Sequence, residues 1–89
     1  MIITEENGIS YELNQANHTA KTIKSYISKD DLLIPRSIQY QSQEYIITSI
    51  GEESFQENQT LKSISFPNNS AISIIGKNAF DSTIIESIT

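Results

Sequence analysis

Few residues of this chain have the types and spacing for chemistry. His18 is its one histidine, at the end of the polar stretch Asn14-Gln15-Ala16-Asn17-His18, with no serine or cysteine motif beside it. A general base must reach the proton it takes; this setting reads instead as an exposed loop residue. Asp30-Asp31 and Glu52-Glu53 are adjacent acidic pairs. Neighbouring side chains on a strand point to opposite faces, so neither pair makes a carboxylate dyad. The chain has no cysteine, which excludes disulfides, thiol catalysis and cysteine-based metal sites. It contains no EF-hand loop, glycine-rich phosphate loop or His-Glu-x-x-His motif. The expectation is a non-enzyme with no catalytic residue, no metal site and no cofactor.

Three Asn-x-Ser/Thr triplets occur, at Asn17-His18-Thr19, Asn58-Gln59-Thr60 and Asn68-Asn69-Ser70. They could accept glycans if a eukaryotic cell secreted the chain, but a composition this rich in Asn, Ser and Thr produces such triplets by chance. Asn58 reads better as structural, its amide turned inward to satisfy backbone groups in a bend.

The elements that must position these side chains are strands. The chain has 89 residues, a net charge of −5 and a pI near 4.6. That length allows one small domain with a thin stability margin. The six basic residues (Lys21, Lys24, Lys29, Arg36, Lys62, Lys77) are scattered, so neither nucleic acid nor an anionic membrane is an expected partner. No transmembrane segment and no signal peptide are visible; the opening Met-Ile-Ile-Thr-Glu-Glu-Asn turns acidic after two isoleucines. Three readings of that start stay open: an internal protein, another exit route, or a start within a longer protein. Isoleucine is common, leucine sparse, and alanine occurs only at positions 16, 20, 71 and 79. β-Branched residues suit a pleated surface, so the chain should be mainly β with only short helical pieces.

The spacing shows a repeat. Ile46 to Pro67 and Ile72 to Thr89 align: Ile47 with Ile72, Ile50 with Ile75, Gly51 with Gly76 and Phe55 with Phe80. After a one-residue deletion, Leu61 aligns with Ile85, Lys62 with Glu86, Ser63 with Ser87 and Ile64 with Ile88. A repeat of this length signals a solenoid whose turns bury their apolar sides against one another. In Leu61-Lys62-Ser63-Ile64-Ser65-Phe66-Pro67, Leu61, Ile64 and Phe66 read as inward, Ser63 and Ser65 as outward at alternating strand positions, and the proline ends the strand. Gly51 and Gly76 mark bends. Glu52 to Phe55 and Lys77 to Phe80 should each form about one helical turn that drives the phenylalanine into the core.

Leu32-Leu33-Ile34-Pro35 echoes the strand with its exit proline. Upstream, Gly8 to Leu13 and Thr19 to Ile27 read as strands joined by a polar hairpin loop. Residues 1–46 are therefore expected to form an N-terminal β cap with a partial first rung, and residues 47–89 two repeats, the second incomplete.

At these residues the chain resembles the BspA-type leucine-rich-repeat family, whose pattern is roughly Leu-x-x-Ile-x-Ile-Pro followed by Val-x-x-Ile-Gly-x-x-Ala-Phe. Leu61 to Pro67, Ile47 to Asn58 and Ile72 to Phe80 carry the likeness, which extends from about Gly8 to Thr89. The chain departs from the pattern in having two repeats rather than many and Asn58 where cysteine is common. The resemblance implies an α/β leucine-rich-repeat solenoid fragment, mainly β in content, with an N-terminal β-hairpin cap followed by about two strand-turn-short helix repeats. It also implies a binding role. Such proteins occur on microbes of mucosal surfaces, where adhesion to host surface molecules is the usual proposal, so a cell-surface or secreted location is what it suggests.

On the alignment, the outward strand face stacks Asp31, Ser63 and Ser87 in one column and Leu33, Ser65 and Thr89 in the next, flanked by Lys62 and Glu86. A flat, polar sheet of small hydroxyls suits contact with a protein or a glycan; it equally suits plain solvation. The candidate ligand contacts are Asp31, Lys62, Ser63, Ser65, Glu86, Ser87 and Thr89. The expected function is a non-catalytic binding or adhesion module using that face. The rival is a structural capping or self-assembly fragment of a longer array. Ile84, Ile85 and Ile88 close the sequence with no polar segment after them, so the chain is expected either to self-associate through its C-terminal end or to be cut from a longer protein.

Overall fold

The computed structural model describes residues 2–25, 27–56, 58–80 and a strand at 87–88. The first hairpin joins β1 (Ile2–Glu6) to β2 (Ile9–Asn14) in antiparallel register. Its two-residue turn is Asn7-Gly8, with φ of 55° and 86°. Two left-handed residues give a primed turn, whose twist matches that of the flanking strands. The sequence reading starts its strands at Gly8, so β1 is an addition to it.

The next strand, β3 (Thr19–Thr22), returns antiparallel to β2 across the polar loop. It is shorter than the expected run to Ile27. After Thr22 the chain bends onto Ser25, whose hydroxyl accepts the Ser10 N–H (3.0 Å) and donates to the Ile23 carbonyl (2.8 Å). These local bonds replace further strand pairing.

β4 (Asp31–Leu33) opens a second sheet, and the chain then forms the hairpin β5 (Ser37–Tyr40) and β6 (Gln43–Ile50). Their turn, Gln41-Ser42, also has both φ values positive, at 50° and 66°. β7 (Ser63–Ser65), β8 (Ile74–Ile75) and β9 (Ser87–Ile88) follow. One sheet runs β1-β2-β3-β6-β5, with β8 also paired to β6; the other runs β4-β7-β9 with every pairing parallel. β6 is the hub. It pairs in parallel with β3 on one side; its other side takes β5 over its first half and β8 at Ser49 and Ile50.

Pleating explains the burial. Ile9, Tyr11 and Leu13 point inward from β2 while Glu12 and Asn14 point out. Burial pushes the Tyr11 phenol up from its ordinary value, and the nearby Glu6 adds to the effect. In β6 the period breaks: Ile47 and Ile50 are both fully buried although three residues apart. A β-bulge is responsible. Ala20 pairs with Ile47, yet the next residue, Lys21, pairs with Ser49, so Thr48 is the extra residue. The core where the sheets meet holds Ile34, Ile47, Ile50, Phe55, Leu61 and Ile64.

The described residues contain no helix, which corrects the expectation of short helices after each glycine. Residues 52–56 and 77–80 are turns. Glu53 and Asn78 have φ of 59° and 58°, a left-handed conformation that stops a right-handed helix. These turns bond to each other between rungs: the Glu53 N–H donates to the Lys77 carbonyl (3.1 Å) and the Phe55 N–H to the Ala79 carbonyl (2.8 Å).

Candidate functional site

The candidate face is built on the three-strand parallel sheet. Leu32 and Ile64 pair side by side and are buried, which anchors β4 and β7 to the core and leaves their flanking residues on the outside. Asp31, Ser63 and Ser87 fall in one row of the register, and Ile64 pairs with Ile88. Leu33 and Ser65 form the next row. Asp31 and Lys62 are exposed, and Ser63 and Ser65 are half-buried. The structure thus brings Asp31, Lys62, Ser63 and Ser65 together, with the Ser87 backbone beside them. Glu86 and Thr89 lie outside the described residues, as do Ile84 and Ile85.

Within the row the Ser63 hydroxyl donates to the Asp31 carboxylate. The backbone clamps the same corner: the N–H groups of Lys62 and Ser63 both donate to the Asp30 carbonyl, at 2.7 and 3.1 Å. On the far side the Ile34 N–H donates to the Ser65 carbonyl at 3.0 Å. The result is a rigid patch with one negative charge held by a hydroxyl, one lysine beside it, and an apolar neighbour. That neighbour is Leu33, 57% exposed. The repeat alignment puts it in the column beside Ser65 but outside the candidate contacts; a leucine at an outward strand position is the signal that marks it.

Asn58 behaves as the structural reading expects. Its side-chain oxygen accepts the N–H groups of Thr60 and Leu61, at 3.1 and 3.0 Å, in the bend that leads into β7. It therefore sets the entry angle of the strand that carries Ser63 and Ser65. The Thr60 hydroxyl donates to the Ile27 carbonyl at 2.8 Å and ties that bend to the segment entering β4. His18 is exposed, and its ring meets Tyr45 edge-on with centroids 5.6 Å apart. Among the described residues no three His, Cys, Asp or Glu side chains are grouped to hold a metal ion.

Three depressions lie elsewhere among the described residues, the smallest, of about 160 Å³, beside Gly8 and Ile27. One, of about 190 Å³, sits at the bulge, where Thr48 and Ser49 face the Glu12–Lys21 ion pair (3.7 Å). Another, of about 320 Å³, is lined by Phe66, Ser70, Ile72, Ser73 and Ile75. The one at the bulge depends on the pairing of distant segments, β2 and β3 with β6, which leaves no local sequence signal.

No family model and no curated protein matches the sequence. Solved structures do match the fold. A leucine rich cell surface protein from Faecalibacterium prausnitzii superposes with a TM-score of 0.82 over 100% of this chain, at 24% identity. A leucine-rich repeat protein from Bacteroides capillosus gives a TM-score of 0.84 over 98% of it, at 22% identity. The chain spans 23% of the first of those proteins and 64% of the second. The chain has the leucine-rich-repeat fold, as the resemblance of its repeats implied. Among the described residues no helix is long and apolar enough to cross a membrane.

Proposed function

We propose that this chain is a non-catalytic binding module that contacts a protein or a glycan, such as a host surface molecule, through the β4-β7-β9 face. The observation that carries this reading is the exposed row in which the Asp31 carboxylate is held by the Ser63 hydroxyl, between Lys62 and Leu33. β7 is bonded to β4 on one side and to β9 on the other, which holds Ser63 and Ser65 in place and lowers the ordering entropy lost on binding. Charges and hydroxyls of this kind suit the polar rim of an interface, and Leu33 offers an apolar contact beside them. A role in adhesion and a place at the cell surface belong to the same proposal; the likeness to the Faecalibacterium leucine rich cell surface protein supports both.

The test uses immobilised mucin, a glycan panel and purified epithelial surface proteins. The wild-type chain is expected to bind at least one of these. The double substitution Ser63→Arg with Ser65→Arg should weaken that binding by more than about tenfold, since it places two large cations on the face. Both positions are on the outer side of the sheet, so the thermal midpoint should barely move. Unchanged affinity in a normally folded double variant would move the site elsewhere.

A further inference from the structure

The first rung shows what its own open edge accepts. At Ser49 and Ile50 of β6 that edge is covered by β8: the Gly76 N–H donates to the Ile50 carbonyl at 2.7 Å and the Ser73 N–H to the Thr48 carbonyl at 3.0 Å. Ile50 is completely buried. β8 repeats this edge one rung on, with Ile75 in register with Ile50. Among the described residues, β8 pairs with β6 and with no strand on its far side. Ile74 and Ile75 are accordingly 62% and 53% exposed, and the 320 Å³ depression lined by Phe66, Ile72 and Ile75 opens beside them.

Charge narrows the occupant. The chain carries a net −5, yet the fifteen residues from Phe66 to Phe80 contain one charged side chain, Lys77. Two copies can therefore bring this end together without facing acid against acid, and depletion of charge is the mark of an interface core. The opposite end of the ladder is unsuited to β8. There β3 is covered by β2, β2 is covered by β1, and β1 ends in the exposed pair Glu5 and Glu6. Charges on an edge strand oppose further pairing.

We infer that two copies of this chain pair tail to tail through β8, antiparallel about a two-fold axis, so that each Ile74–Ile75 edge closes the other. Such an interface uses the same patch on both partners and is closed, giving a dimer and not a fibre. It lies on a different sheet from the proposed binding face and needs no ligand there, so the failure of either idea leaves the other standing.

Sedimentation of the 89-residue chain over a wide concentration range should show a monomer–dimer equilibrium with nothing larger. Ile74→Lys should weaken it by about tenfold or more, because the two lysines would meet at the axis. At concentrations where both are monomeric its melting midpoint should match the wild type, since the side chain is mostly exposed. Ile3→Lys, on the exposed face of β1, should dimerise as the wild type does. A second measurement avoids any dependence on those variants. The chain has no cysteine, so Ile74→Cys should form a cross-linked dimer under mild oxidation about tenfold faster than Ile3→Cys. A monomer at every concentration, growth beyond the dimer, or equal cross-linking rates would overturn the proposal.

Discussion

The ring of Phe80 lies on the ring of Phe55, with centroids 5.8 Å apart and planes 6° from parallel. The two residues occupy the same place in successive rungs, so the contact joins one repeat to the next. Phe55 is fully buried and Phe80 is half-buried against the core. Removing the Phe55 ring would open a cavity and strip Phe80 of its partner. Phe55→Ala is expected to destabilise the fold by roughly 3–5 kcal/mol, enough to unfold a domain of this size at modest temperature. Phe80→Ala should cost less, in keeping with its exposure. Thermal melts of both variants check this ranking; an unchanged midpoint for Phe55→Ala would contradict it.

Glycine at position 51 is required by distance, not by backbone angle. A Cβ there would stand 2.3 Å from the Thr22 carbonyl oxygen, which also accepts the Gly51 N–H at 3.0 Å. The obstacle is backbone and cannot rotate away. Gly51→Ala should therefore cost about 3 kcal/mol or more, at or above the usual range for overpacking. A change at the exposed Ser28, which has no left-handed backbone angle, should stay within about 0.5 kcal/mol. Urea titrations of the two variants compare them; similar midpoints would remove the close-approach argument.

Thr22 and Ser54 form a buried pair, with their hydroxyl oxygens 2.7 Å apart. The Ser54 proton goes to the Gly51 carbonyl at 2.9 Å, so Thr22 is the donor between them. Repeat two has Ala79 at the position of Ser54, and the hydroxyl pair therefore belongs to the contact between β3 and the turn after Gly51 alone. Ser54→Ala should cost about 1–3 kcal/mol, the penalty of leaving the Thr22 hydroxyl without its acceptor. Adding Thr22→Val should cost less than the sum of the single changes. Additive losses in a double-mutant cycle would mean that the pair is not coupled.

Parts of this fold are legible in the sequence for a specific reason. Where two rungs share residue types at one offset, the pairing follows: Ile50 lies against Ile75, and Ser63 against Ser87. The row containing Asp31 was readable in the same way, because Leu32-Leu33-Ile34-Pro35 repeats the strand and its proline. The hydrogen bond from Ser63 to Asp31 was not, since it depends on side-chain rotamers. The hairpin at Gln41-Ser42 carries no glycine or asparagine, so its left-handed turn left no local signal. Asn7-Gly8 did carry one, and there the acidic residues before it obscured a strand. The helices expected after each glycine fail because backbone bonds to the next rung compete with helical ones, a tertiary effect that no local propensity reports.

The glycine contacts run in one direction along the chain. Gly51 clears the backbone of Thr22, and Gly76 clears the backbone of Glu52 and Gly51, at distances of 2.6 and 2.8 Å for an added Cβ. In each case the later rung supplies the missing side chain, whatever residue stands in the earlier one. A rung copied by tandem duplication would bring its own clearance with it and ask for no compensating change in its predecessor. Lengthening such an array by one unit is then a single genetic event, whereas inserting a foreign rung without that glycine would require a second change at once.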